Sequence, residues 1–223
     1  MTCPTEALYL ETGLIPLRFV IKSRRLKYLH HLANREDTEM IVKFLKVQWN
    51  CPVKSDWTLQ IKDDLSEFGL KVDIDWLKTI KKNTFKAKID KETKRLALNY
   101  LLKKQNDLSK LKNLNFIELK LQKYLQDKDI RISTARVIFK SRTRMTVYWS
   151  NFKSSKSSRN CPLCKENIID SQEHSFECKV VKENIDVSSS TNFSDIYGDK
   201  IDPKLAKTIE EIEEFRKYKM NSE

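Results

Sequence analysis

Glycine and proline are scarce, with 3 and 5 in 223 residues. A loop that cradles phosphate needs several glycines within a few positions, and no stretch supplies them. The patterns G-x-G-x-x-G, G-x-x-x-x-G-K-[ST] and G-x-S-x-G are all missing, which argues against nucleotide-cradling and nucleophile-elbow chemistry. No apolar run reaches the roughly 20 residues that a bilayer-spanning helix needs. The first residues carry neither a basic nor an apolar region, so they do not read as a signal peptide. Five cysteines (Cys3, Cys51, Cys161, Cys164 and Cys178) are an odd number without an export signal. They point to a reducing, intracellular setting, nucleus or cytoplasm, and to metal binding over disulfides.

What the chain has in excess is positive charge. Lys and Arg number 43 against 31 Asp and Glu, a net charge of +12. The excess is uneven. Residues 161–223 hold 9 basic and 14 acidic side chains, and residues 1–160 hold 34 and 17. A region this basic attracts a phosphate polymer, RNA or DNA, through counterion release, or an anionic membrane surface; a merely soluble basic protein is the plainer alternative.

Helical periodicity dominates from residue 5 to about residue 145. A first helix is expected over Thr5–Thr12, with Gly13 as its C-cap, and a second from Pro16, with Leu17, Ile21, Tyr28 and Leu32 as its stripe. A third starts near residues 36–38, and a fourth covers 56–68 behind Ser55, ending at Gly69. A long lysine-rich helix is expected over 73–104, followed by helices over 115–126 and 133–145 and a strand-like 146–149. Residues 153–160 read as a Ser/Lys linker, and Asp202-Pro203 opens a terminal helix with Leu205, Ile209 and Ile212 on one side. The expected fold is all-α, a multi-helix bundle with a small C-terminal zinc-knuckle module. Its expected divisions are a basic helical domain (1–150), a linker and knuckle (151–185) and an acidic loop with a terminal amphipathic helix (186–223).

The sharpest pattern is Cys161-x2-Cys164-x9-His174-x3-Cys178. Three thiolates and one imidazole suit tetrahedral zinc, and a full set of four leaves no position for catalytic water. Asp170 or Ser171 can cap a short helix that sets His174 and Cys178 four residues apart on one face. The plainer reading is a group of buried thiols beside a histidine. A second pattern precedes it. Arg131, Arg136, Lys140, Arg142, Arg144, Lys153, Lys156 and Arg159 run without an acidic residue between them, and Phe139, Tyr148, Trp149 and Phe152 are interleaved. Arg136, Lys140, Arg142, Arg144 and Arg159 are candidate phosphate contacts, and Tyr148 and Trp149 candidate stacking platforms for bases. The alternative is a solvated helix face whose aromatics belong to the core.

Three features read as structural. Arg24 falls in the stripe of the second helix and is expected to form an internal ion pair. His30 and His31 point about 100° apart and make a poor metal pair. Asp63 and Asp64 lack the aromatic-x-Asp-Asp hairpin of a polymerase and are expected on the surface. The lysines between 78 and 112 read as solvated helix faces.

Taken in order, several segments resemble the C-terminal region of a non-LTR (LINE-type) retrotransposon endonuclease–reverse transcriptase, downstream of its polymerase core. They are residues 6–31, Asp56-Trp57 with Asp63-Asp64-Leu65, residues 135–145, and the Cys161/Cys164/His174/Cys178 set with Glu173. The likeness covers most of residues 5–180. It implies a region that binds element RNA or positions target DNA beside other parts of a reverse-transcriptase polyprotein. The parent family would be an RNA-directed DNA polymerase, but neither polymerase nor endonuclease motifs carry over. The expectation is therefore a fragment, or a decayed or domesticated copy, that is not itself an enzyme. The alternative function is a helical protein-interaction module stapled by zinc.

Overall fold

A computed structural model of the chain describes residues 4–53, 57–114, 116–151, 160–187, 192–198 and 201–222, with the backbone alone at Ser109 and Trp149. Among these residues there are eleven α-helices and no strand, so the fold is all-α as expected. The first six are α1 Thr5–Thr12, α2 Leu17–Ala33, α3 Met40–Asn50, α4 Trp57–Glu67, α5 Ile74–Thr79 and α6 Lys82–Asp107. The rest are α7 Lys123–Gln126, α8 Ile132–Arg142, α9 Gln172–Glu177, α10 Lys179–Asn184 and α11 Pro203–Ser222. Two compact units result. One is Ile15–Leu101, and the other joins Met1–Leu14 to Leu102–Glu223. These units do not follow the divisions at 150 and 185 that composition suggested.

The Ile15–Leu101 unit buries one face of each of its helices. Leu26, Leu29, Leu45, Ile61, Leu65, Phe68, Leu77, Phe85 and Ile89 form its core, each at most 2% exposed. Burying a side chain of this size contributes roughly 1.5–3 kcal/mol. On α2 the buried positions are Phe19, Ser23, Leu26, Leu29, His30, Leu32 and Ala33. Of the four stripe residues expected to face inward, only Leu32 is buried; Leu17, Ile21 and Tyr28 are 64%, 46% and 51% exposed. Apolar residues all round a helix leave its rotation undecided, and a turn of one residue is enough to exchange the faces.

That rotation corrects the reading of two charged residues. Arg24 is exposed. The internal ion pair belongs to its neighbour Arg25, whose guanidinium lies 2.6 Å from Asp64 Oδ2, with Lys22 at 3.5 Å from Oδ1. Asp64, expected on the surface, is 2% exposed. Burial pushes its carboxyl above the ordinary carboxylate range, while Arg25 and Lys22 pull the other way.

The long helix expected over 73–104 is broken. Asp73 accepts hydrogen bonds from the backbone N–H groups of Asp75 and Trp76 and starts α5, and Ile80 is extended at φ −98°, ψ 128°. Neither glycine nor proline marks the break. His30 on α2 holds it: Nε2 lies 2.9 Å from the Ile80 carbonyl, and the ring stacks on Phe85 at 4.5 Å. The fourth helix ends as expected at Gly69, which sits at φ +63°. Its expected cap Ser55, and Asp56, lie outside the described residues.

In the second unit α1 ends at Gly13, as expected, at φ +69°. A Cβ there would stand 2.5 Å from the Lys120 carbonyl carbon, so close backbone approach as well as conformation demands glycine. This approach explains why the helix expected over 115–126 shrinks to α7. The backbone at Gln122 instead donates to the Glu11 carbonyl at 3.0 Å. The strand-like stretch 146–149 ends in a 3-10 turn, Trp149–Asn151. Ile138 of α8 packs with Leu205, Ile209 and Ile212 of α11, the stripe that the sequence marked.

Replacing Arg25 by Ala leaves the Asp64 charge buried with less compensation and should cost about 3 kcal/mol. Arg24→Ala should stay within about 0.5 kcal/mol of wild type. Urea unfolding followed by far-UV circular dichroism measures both, and equal effects of the two substitutions would contradict the assignment of the pair.

Candidate metal centre

The four residues with metal-ligand spacing converge. Cys161, Cys164, His174 and Cys178 each offer one donor atom, and these atoms all lie within 4.8 Å of one another. Cys164 Sγ is 3.5 Å from His174 Nε2. Donors at zinc-like bond lengths round a tetrahedral centre stand about 3.5–3.8 Å apart. A small contraction of the cluster therefore closes it on an ion. Three thiols and an imidazole, with Cys161 2%, Cys178 1% and His174 7% exposed, can hold a metal ion and leave little room for solvent.

Local structure explains the convergence. Asn160 and Ile169 form an isolated antiparallel bridge, and the Cys161 N–H donates to the Ile168 carbonyl at 2.8 Å. This narrow loop brings Cys161 and Cys164 to one side, with Lys165 at φ +55° reversing the chain. Ser171, one of the two caps anticipated, accepts from the His174 N–H at 3.0 Å and starts α9. The Cys178 N–H donates to the His174 carbonyl at 2.7 Å, which fixes the two ligands one turn apart. Burial pushes the Cys161 thiol up to about 11, and the neighbouring Cys178 adds to the rise. Metal loading must then displace protons, so affinity falls as pH falls. The cluster is also core: Cys161 and Cys178 pack with Tyr124, Ile138, Phe176, Val181 and residues of α11.

The basic run before the knuckle is used differently from the expectation. Arg142 is 2% exposed. Its Nε donates to Glu11 at 2.8 Å, and Nη1 donates to the carbonyls of Ile196 and, at 3.1 Å, Gly198. The Tyr124 hydroxyl donates to the other Glu11 oxygen at 2.9 Å. A guanidinium committed to a buried carboxylate and two carbonyls is not a phosphate contact. Tyr148 is likewise inside, at 4% exposure, with its hydroxyl 3.2 Å from Ser175 Oγ and the Arg216 guanidinium 4.3 Å over its ring. Burial pushes its phenol up to about 12. Tyr148 is therefore not a stacking platform but a core residue, the alternative that the sequence left open. Arg144, with φ +50°, pairs with Glu173 at 2.8 Å.

Arg136 and Lys140 line a groove whose other side carries Glu210, Glu213 and Glu214 of α11, so no purely positive surface forms there. The side chain of Trp149, and all of Arg159, Lys153, Lys156 and Phe152, lie outside the described residues. No local pattern in the sequence marks the individual internal partners. Glu11 stands 131 residues from Arg142, and Asp170 accepts from the buried Arg216 across 46 residues, at 3.0 Å. Only contact in three dimensions identifies them.

Two outcomes are expected. Wild-type protein should carry about one metal ion per chain, since the described residues hold one complete ligand set. Cys164→Ser should lose the ion and loosen α8 and α11 together with the knuckle, while α2–α5 stay folded. Elemental analysis with amide-resolved NMR checks this, and metal-free wild-type protein would contradict it.

The second outcome concerns Glu213. Burial raises its carboxyl above the ordinary value, opposed by Lys217, Lys140 and Arg216. A raised acid binds more protons folded than unfolded, so stability falls as pH rises from 4.5 through the folded value. Glu213→Gln should thus be more stable than wild type at pH 7, with the difference gone below about pH 4. Thermal melts at the two pH values test the sign.

No family model, no curated protein and no solved structure matches this chain.

Proposed function

We propose that the chain is a non-catalytic nucleic-acid-binding protein, for RNA or DNA, in which zinc closes the Cys161/Cys164/His174/Cys178 cluster as a structural ion. Three thiolates with one imidazole favour zinc among the common divalent metals, and four protein ligands suit a structural role. The resemblance to the C-terminal region of a LINE-type reverse transcriptase points the same way. The observation that carries the reading is electrostatic. The Ile15–Leu101 unit holds 19 Lys and Arg against 11 Asp and Glu, a net charge of +8. On α6 of that unit Lys82, Lys86, Lys88, Lys91 and Lys94 are all exposed. None of the five forms an ion pair among the described residues, although Lys88 lies 5.8 Å from the Trp76 ring. Uncompensated charge at this density is self-repulsive unless a polyanion meets it.

A second reading rests on α3. Met40, Phe44 and Val47 fall at helical spacing and are 70%, 61% and 64% exposed. An apolar stripe of this kind suits a protein partner, and with it the chain would be a zinc-stapled interaction module.

Salt dependence separates the two. Each phosphate contact contributes about 0.7 to the salt slope on a single strand. The triple variant Lys88→Ala, Lys91→Ala, Lys94→Ala should lower that slope by about 2 and weaken all sequences alike. Fluorescence anisotropy with single-stranded RNA across a salt series measures it. A wild-type protein that binds no nucleic acid at low salt would leave the interaction module as the better account.

A further inference from the structure

The break between α5 and α6 opens a cavity of about 390 Å³ in the Ile15–Leu101 unit. Half of its ten lining residues are lysines, Lys27, Lys78, Lys81, Lys82 and Lys86, and no carboxylate lines it. Lys27 and Lys78 pair with Asp90 and Asp37, at 2.5 Å and 2.8 Å. Lys81, Lys82 and Lys86 are exposed and form no ion pair among the described residues. They cluster at the start of a 26-residue helix with no acidic residue in its first turn. The helix dipole there adds to the positive field that the lysines create. In the protein alone this arrangement is unfavourable, and an anion of charge −1 or −2 relieves it.

The cavity also has an apolar wall. Ile80 lines it, backed by the stacked rings of His30 and Phe85, which are 4% and 1% exposed. His30 is committed to the Ile80 carbonyl and serves as wall. The volume falls within the range of small-ligand sites, about 300–1,000 Å³. A bare phosphate would leave the apolar part empty, and an apolar ligand would leave the lysines unmatched. A ligand with an anionic group at one end and a flat, largely apolar body at the other satisfies both.

We infer that this cavity takes a nucleoside phosphate, with the phosphate against Lys81, Lys82 and Lys86 and the base against Ile80 and the ring wall. The inference rests on the nucleic-acid reading, in which the ligand is one nucleotide of a single strand. A free nucleotide has the same chemistry and is distinguished by the test.

The test uses the full chain carrying its metal, with two triple variants of equal charge change. One is Lys81→Ala, Lys82→Ala, Lys86→Ala at the cavity. The other is Lys88→Ala, Lys91→Ala, Lys94→Ala farther along α6. All six side chains are exposed, so neither variant disturbs the core. Anisotropy with a 12-nucleotide oligouridylate should show the cavity triple at least tenfold weaker than the other triple. In parallel, amide resonances of residues 80–86 should shift with uridine 5′-monophosphate, and less with uridine or with inorganic phosphate. Equal losses in the two triples, with no nucleotide-specific shift, would overturn the cavity as a site while leaving nucleic-acid binding intact. Shifts as large with inorganic phosphate as with the nucleotide would also overturn it. Nucleotide-specific shifts without strand binding would uphold the cavity and overturn the nucleic-acid reading. Neither strand binding nor shifts would overturn both.

Discussion

Cys161 and Cys178 belong to a cluster that could hold a metal ion and are core residues at once. They sit among Tyr124, Ile138, Phe176, Val181 and the inward side of α11. Closing four donors on one ion therefore fixes more than the short loop and helix that carry them. It would brace the surface on which α8 and α11 pack, next to the contacts of Asp170 with Arg216 and of Ser171 with the His174 N–H. A metal site can supply much of the folding energy of the region that it holds.

Buried charge is the other organising feature, and it decides where the surface charge lies. Arg142 with Glu11 and Arg216 with Asp170 are enclosed pairs, and the better exposed Arg25 reaches the buried Asp64. Such pairs contribute little net stability over apolar packing, but removing one partner is expensive. Their consequence for function is subtractive. The basic run 131–159 has no acidic neighbour in sequence, yet Arg142 and Arg144 meet acids brought from elsewhere, and Arg136 and Lys140 face the carboxylates of α11. The acidic tail thus meets this chain's own basic helix. Lys82, Lys86, Lys88, Lys91 and Lys94 of α6, which looked like an ordinary solvated helix face, form no ion pair among the described residues.

The sequence was most legible where one local rule settled the outcome. Pro203 at a helix start, Gly13 and Gly69 at helix ends, the α11 stripe and the spacing of the four ligands each depend on residues a few positions apart. It was least legible where a distant group intervened. His30 ends α5 at Ile80 without any glycine or proline, and the approach of Lys120 to Gly13 pulls 116–122 out of a helix. The rotation of α2 was undecidable from apolar periodicity alone, so Arg24 took the role that Arg25 holds. Burial of Asp64 and Tyr148 follows from packing that no window of sequence contains.

In the proposed function, nucleic acid would meet the lysine-bearing face of the Ile15–Leu101 unit, and the unit with the Cys/His cluster would serve as structure. Hydrogen–deuterium exchange of the zinc-loaded chain, with and without a saturating single-stranded RNA, tests it directly. RNA should protect peptides covering 78–94 and leave those covering 131–151 and 160–187 unchanged. Protection confined to the segments around α8 and the knuckle, or none anywhere, would contradict it.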